Sequence, residues 1–169
     1  VAEAGKIGRE ERRGDAVGGA HGAILANRRH ARRAGNIQCM SKYQFRVEVM
    51  PEYLPDQSAP AESLYSFAYT ITITNCGQVP AQLVSRHWQI IDASGQTEEV
   101  KGLGVVGHQP LLQPGEHFEY TSGARLRTPT GTMHGSYFCV AEDGEKFDVD
   151  IPMFVLDALS SESGKRNLH

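Results

Sequence analysis

The sequence has 169 residues and 40% hydrophobic content, enough for one cored domain plus an extension, and its three cysteines, an odd number, do not make a disulfide scaffold at this length. A reducing compartment is the simpler reading, and the lack of any long apolar run excludes a membrane-spanning helix. The net charge of −3 divides into +4 over residues 1–39 and −7 over residues 40–169, so the body is acidic and nucleic acid is excluded as its main partner.

Residues 1–39 hold seven glycines and none of the thirteen Phe, Tyr and Trp residues. Such a segment buries too little apolar surface to offset its ordering entropy. Its only contiguous apolar stretch, Ala23-Ile24-Leu25-Ala26, is shorter than the roughly 7–15 residues of a secretory signal. Arg28-Arg29 and Arg32-Arg33 look like twin-arginine pairs, but no apolar run follows them. A short basic helix over 23–34, closed by Gly35, is the structured alternative. Met40-Ser41-Lys42 reads as a natural start. The expectation is a disordered basic tail or a non-native extension over 1–39.

From Tyr43 onward the pattern is that of strands. Tyr43, Phe45, Val47 and Val49 alternate with polar residues. Met50 to Ala61, with Pro51, Pro55 and Pro60, is neither helix nor central strand and is expected to be a loop. Leu64 to Thr74 places Tyr65, Phe67, Tyr69, Ile71 and Ile73 on one face, which suits a half-buried pleated surface. Asn75-Cys76-Gly77 ends it as a turn. Ala81 to Asp92 is the third strand, Ala93-Ser94-Gly95 a turn, and Thr97 to Lys101 a short return strand.

Lys101 to Gly123 is the unusual stretch. A Gly102-x-Gly104-x-x-Gly107 pattern precedes Pro110 and a Pro114-Gly115 turn. Strands are then expected over 117–121, 132–141 and 146–156. Thr128 to Gly131 is a turn, and a tight hairpin spans Glu142 to Glu145. Pro152 interrupts the donor ladder, so it marks an edge or a bulge. Seven to eight strands and no helix in the body predict an all-β, antiparallel β-sandwich of immunoglobulin or fibronectin III-like type over 40–157, with a flexible end over 158–169. Trp88 and Tyr137 are expected in its core. Cys76, Trp88 and Cys139 follow the immunoglobulin order, but Cys76 sits in a turn, so a bridge to Cys139 is not expected.

The glycine pattern is not a dinucleotide fingerprint. That motif must open a helix after a strand, and His108-Gln109-Pro110 followed by Pro114 prevents one. A glycine-rich backbone still offers N–H groups as an anion nest, with Lys101, Arg125 and Arg127 as candidate phosphate partners. The plainer account is that the glycines permit positive φ in a loop crossing between sheets. His87, His108, His117 and His134 have no metal-site spacing. A His117–Glu119 surface pair is expected from their shared face. Glu142, Asp143 and Glu145 read as solvated turn residues, and neither Ser122 nor Cys139 has an identifiable partner base.

Gly104-Val105-Val106-Gly107-x-Gln109-Pro110-x-Leu112-x-Pro114-Gly115-Glu116-x-Phe118-x-Tyr120-Thr121-Ser122-Gly123, with Met133-x-Gly135-Ser136-Tyr137 and Phe147-x-Val149-x-Ile151-Pro152-x-Phe154-x-Leu156, resembles the ApaG family over about Tyr43 to Asp157. Cys139 stands where that family more often has an apolar residue. The resemblance implies a fibronectin-type sandwich in a small cytoplasmic bacterial protein. It also implies a link to cobalt resistance and magnesium efflux, and to related domains that serve as protein-binding modules. The expectation is therefore a non-enzymatic binding module without cofactor or metal, with an unidentified protein partner. Its contact surface is placed at Lys101, Gly102, Gly104, Gly107, His108, Gln109 and Pro110, with Arg125 and Arg127 beside it. The alternative is a pyrophosphate- or nucleotide-binding regulator using the same loop.

Overall fold

A computed structural model describes residues 41–160 of the chain. The basic segment 1–39 with its candidate helix, Met40, and most of the 158–169 segment lie outside the described residues. Alternating apolar residues form eight strands: β1 (Phe45–Tyr53), β2 (Tyr65–Asn75), β3 (Ala81–Asp92), β4 (Thr97–Leu103), β5 (Leu111–Leu112), β6 (His117–Leu126), β7 (Thr130–Ala141) and β8 (Lys146–Asp157). Every pairing is antiparallel. One sheet runs β1-β2-β6 and the other β4-β3-β7-β8, with β5 pairing the start of β3. This is the sandwich expected from the sequence.

The inner faces make one core. From β2 come Phe67, Tyr69, Ile71 and Ile73, all buried. They meet Trp88 of β3 and Tyr137 and Cys139 of β7. Trp88 sits edge-on to Tyr69 at 5.5 Å and to Tyr137 at 6.5 Å, the arrangement that opposes ring edge to ring face. Burying each such side chain contributes about 1.5–3 kcal/mol. Tyr120 and Tyr137 share a hydrogen bond of 2.6 Å between hydroxyls. Their polar ends are thereby satisfied inside the core. Cys76 and Cys139 are not bridged, and burial pushes the Cys139 thiol up to about 12.

Several boundaries differ from the sequence reading, each for a physical reason. β1 continues through Pro51 to Tyr53 because it is an edge strand, where a missing N–H is tolerated. Two three-residue 3-10 turns begin at Pro55 and Pro60 within the expected loop. The first of them covers Ser66, whose hydroxyl donates to the Gln57 carbonyl at 2.7 Å. β6 runs on to Leu126 through Gly123 and Ala124, which lack the bulky alternation that marks a strand but pair with Ala68 and Phe67. Pro152 lies on the edge strand β8 at a register shift opposite His134, matching both expected marks. Ala158 is still buried, its N–H on the Pro129 carbonyl at 2.9 Å, so packing continues just past Asp157.

Asn75 shows how the turns are fastened. It is 1% exposed and fully bonded: its amide donates to the carbonyls of Val79 at 3.0 Å and Leu112 at 2.9 Å, and its oxygen accepts the Gly77 N–H at 2.9 Å. One side chain therefore ties the β2–β3 turn to β5.

Candidate functional site

The β4–β5 connection holds most of the residues singled out in the sequence. Gly104 has φ +59°, and a Cβ there would collide with the His108 carbonyl. Val105 is fully buried and anchors the loop in the core. Val105 and His108 exchange N–H···O bonds of 2.8 Å in both directions. Between them Val106 and Gly107 have φ +44° and +89°, the sign pattern of a type I′ turn. Gly107 adopts it freely. Val106 does not, because a β-branched residue at positive φ is strained.

The loop is held from behind by a bulge in β3. Leu83 pairs with Cys139 and Ser85 with Phe138, which leaves Val84 as the extra residue. Its carbonyl accepts both the Gly104 N–H at 2.8 Å and the Gln109 side-chain amide at 2.7 Å. A bulge also shifts the alternation by one. Before it Ala81 and Leu83 face the core; after it Trp88 and Ile90 do. Arg86 shares the phase of Trp88 and so turns inward, where a regular strand would have sent it to solvent. Its Nη1 donates to the carbonyls of Leu103 at 3.1 Å and Gly104 at 2.7 Å. Gly102 lies against the guanidinium: a Cβ there would meet it at 3.1 Å, so the arginine would have to shift.

Arg86 is the site residue that sequence reasoning missed. The available signal was the odd spacing of Leu83 and Trp88, two core residues that a regular strand would put on opposite faces. Arg86 lines a recess of about 210 Å³ with Tyr69, Trp88, Tyr120, Ser122, Leu103, Val106 and Gly107. Burial raises the pKa of Tyr69, opposed by Ser122 and by the charge on Arg86. Burial likewise lifts Tyr120 well above the ordinary tyrosine value. Both hydroxyls stay protonated at neutral pH and remain donors. Leu103, on the rim, is 75% exposed.

The predicted residues divide into three groups. Gly102, Gly104, Gly107, His108, Gln109 and Pro110 are brought together in the loop. Gln109 and Pro110 brace it: Gln109 holds Val84, and the Pro110 carbonyl accepts the Leu83 N–H at 3.0 Å. Exposed His108 packs beside Phe118, with ring centroids 6.1 Å apart. Lys101 lies on the face of β4 opposite to Gly102 and pairs with Glu99 at 3.0 Å. Arg125 and Arg127 are elsewhere. They line a second cavity, of about 760 Å³, with Thr97, Glu98 and Glu99 at the far end of β4. Six residues of strand, about 20 Å, separate the two ends of β4. Lys101, Arg125 and Arg127 therefore do not converge on the glycines; Arg86 does.

The remaining sequence candidates fall into place as structure. His117 and Glu119 do not pair; Glu119 instead accepts the Thr72 hydroxyl across the sheet at 3.2 Å. A histidine–carboxylate contact does form between His87 and Glu99, 2.6 Å across β3 and β4. Lys101 and His87 together hold the Glu99 carboxyl below its usual range. At the β7–β8 hairpin, Asp143 receives Lys42 at 2.8 Å and the Tyr43 hydroxyl at 2.7 Å. These bonds bring its pKa down to about 2. Among the described residues no group of three or more His, Cys, Asp or Glu is placed to hold a metal ion, and no helix is long and apolar enough to cross a membrane.

Comparison with known proteins agrees with this geometry. A family profile described as the ApaG domain matches residues 55–141. Protein ApaG of Acidovorax sp. (strain JS42) is 72% identical over 123 residues, covering 72% of this chain and 90% of that protein. Protein ApaG of Ralstonia nicotianae is 63% identical over 117 residues, covering 69% and 94%. The crystal structure of a Bordetella pertussis protein described as ApaA superposes with a TM-score of 0.69 at 55% identity, covering 70% of this chain and 97% of that one. With its glycine loop and its bulge inside the profile match, and relatives 72% and 63% identical covering 72% and 69% of its length, the chain belongs to the ApaG family.

Proposed function

We propose that this chain is a non-enzymatic binding module that engages a protein partner through the seam between β4 and β6, at the end formed by the Gly102–Pro110 loop. One observation carries the reading: the rigidly braced loop holds Leu103 at 75% exposure on the rim of a recess lined by aromatic rings. Exposed apolar surface beside a preorganised loop favours protein recognition. The loop's amides argue against the phosphate alternative. Those of Gly104, Val105 and His108 are bonded to the protein's own carbonyls, whereas an anion nest needs them free. Of the basic side chains offered for phosphate by the sequence, Lys101 lies at Glu99 and Arg125 and Arg127 at the far cavity, which leaves Arg86 alone beside the loop.

Among the described residues no nucleophile–base pair supports a catalytic reading, and close polar pairs such as Tyr120 with Tyr137 and His87 with Glu99 are spent on structure. On this reading, the link to cobalt resistance and magnesium efflux that the family resemblance implies is attributed to a protein contact rather than to direct metal binding. The test is affinity capture with the full chain and with Leu103→Asp, a substitution on an exposed side chain. Loss of specific partners from the variant is the expected result. Identical partner sets, with the variant folded, would refute the seam as the contact surface.

A further inference from the structure

Among the described residues, the charge in the recess has no counter-ion. Arg86 is half-buried, and among the described residues no carboxylate pairs with it. Of its five N–H groups, those on Nη1 serve the Leu103 and Gly104 carbonyls, and those on Nε and Nη2 have no bonded partner among the described residues. Removing a guanidinium from water costs free energy unless an anion compensates it. The two backbone bonds fix its position and leave its charge unneutralised. We infer that the recess is a socket for a single carboxylate from a partner polypeptide, with an adjoining apolar group resting on Leu103 and Val106. This inference rests on the protein-binding reading above.

Size, donors and field select the ligand class. A volume of about 210 Å³ lies below the roughly 300–1,000 Å³ of cofactor and drug-sized sites. It has room for one side chain or a chain terminus, not for a nucleotide. A guanidinium presents two parallel N–H groups that match a carboxylate, and the Tyr69 hydroxyl supplies a further donor on the wall. The surrounding body carries −7 over residues 40–169, which opposes a polyphosphate far more than a single negative charge. The strain at Val106 fits the same picture. A turn that costs conformational energy keeps an apolar side chain at the mouth, where a relaxed Asn-Gly turn would present a polar one.

Trp88 is the one tryptophan of the chain and lines the recess, so its indole N–H resonance reports on occupancy. The full chain is titrated with N-acetyl-leucine, with N-acetyl-leucinamide and with inorganic phosphate. The expected result is a saturable shift with the acid, and binding at least tenfold weaker with the amide and with phosphate. Arg86→Gln should weaken the acid at least tenfold. Because that variant also disturbs the loop, Leu103→Glu provides a second check: it offers a carboxylate in cis at the rim and leaves the Arg86 bonds intact. It should abolish the shift without lowering the melting temperature. An unmoved Trp88 signal, equal binding of acid and amide, or phosphate binding as tightly as the acid would overturn the carboxylate socket. Partner capture that still depends on Leu103 in that case would leave the broader protein-binding reading standing.

Discussion

On one long side of the sandwich, β1 and β8 are joined. Phe45 packs edge-on against Phe147 at 5.8 Å, Tyr43 stacks on the same ring at 5.7 Å, and Lys42 and Tyr43 both reach Asp143. On the other side, β4 and β6 are edges with two cavities between them. The first side spends its aromatic and charged groups on one another. The second leaves an arginine lining an open recess, with a leucine and a strained valine at its mouth. A sandwich needs both layers covered but not both seams closed, and here stability is concentrated at one seam and recognition at the other.

Four substitutions break or sharpen that contrast. The largest effect belongs to Gly104→Val, which forces a β-branched side chain into positive φ and against the His108 carbonyl. A loss of about 3 kcal/mol or more in urea unfolding is expected, together with loss of the seam's binding. Next is Phe147→Ala on the closed side. It removes two ring contacts from a partly buried site and should cost about 2 kcal/mol while leaving the Trp88 response to N-acetyl-leucine unchanged. A changed response would mean that the two seams are coupled.

Val106→Asn should act in the opposite sense. It creates the Asn-Gly pair that type I′ turns favour, so stability should rise by about 0.5–1 kcal/mol while binding at the seam weakens. A destabilised variant would show that Val106 is held by packing rather than strained. The smallest effect is expected at Asp143, which is exposed and heavily screened. Its folded pKa of about 2 lies below the unfolded value of about 3.9. Its contribution is therefore present above about pH 4 and lost as pH falls through about 2. Melting curves of the protein and of Asp143→Asn should differ slightly at neutral pH and converge in that acid window.

The contrast between the seams was only partly legible beforehand. Strand identity came from alternation and turn chemistry: β2 and β3 were located to within a residue at each end. Gly115 and Gly144, at φ +86° and +90°, sit in the turns that their neighbours announced. The second half of β6 is not legible because Gly123 and Ala124 give no periodic signal, and β5 is two residues long, below any pattern. Pro51 ended β1 too early, since a proline excludes a central strand but not an edge. The glycine loop was visible as a cluster, but its neighbours in space were not. Arg125 and Arg127 are near Gly102 in the sequence yet belong to the other cavity, because β6 runs away from the loop toward the far end of β4.

By itself the amino-acid order determined the two-layer β architecture, the positions of its turns and the burial of Trp88 and Tyr137, because side-chain period and backbone preference are local properties. Only the tertiary structure decided which arginine meets the glycines. One extra residue at Val84 reverses the facing of everything after it in β3, and the carbonyl it exposes finds its partners, Gly104 and Gln109, some twenty residues further along the chain.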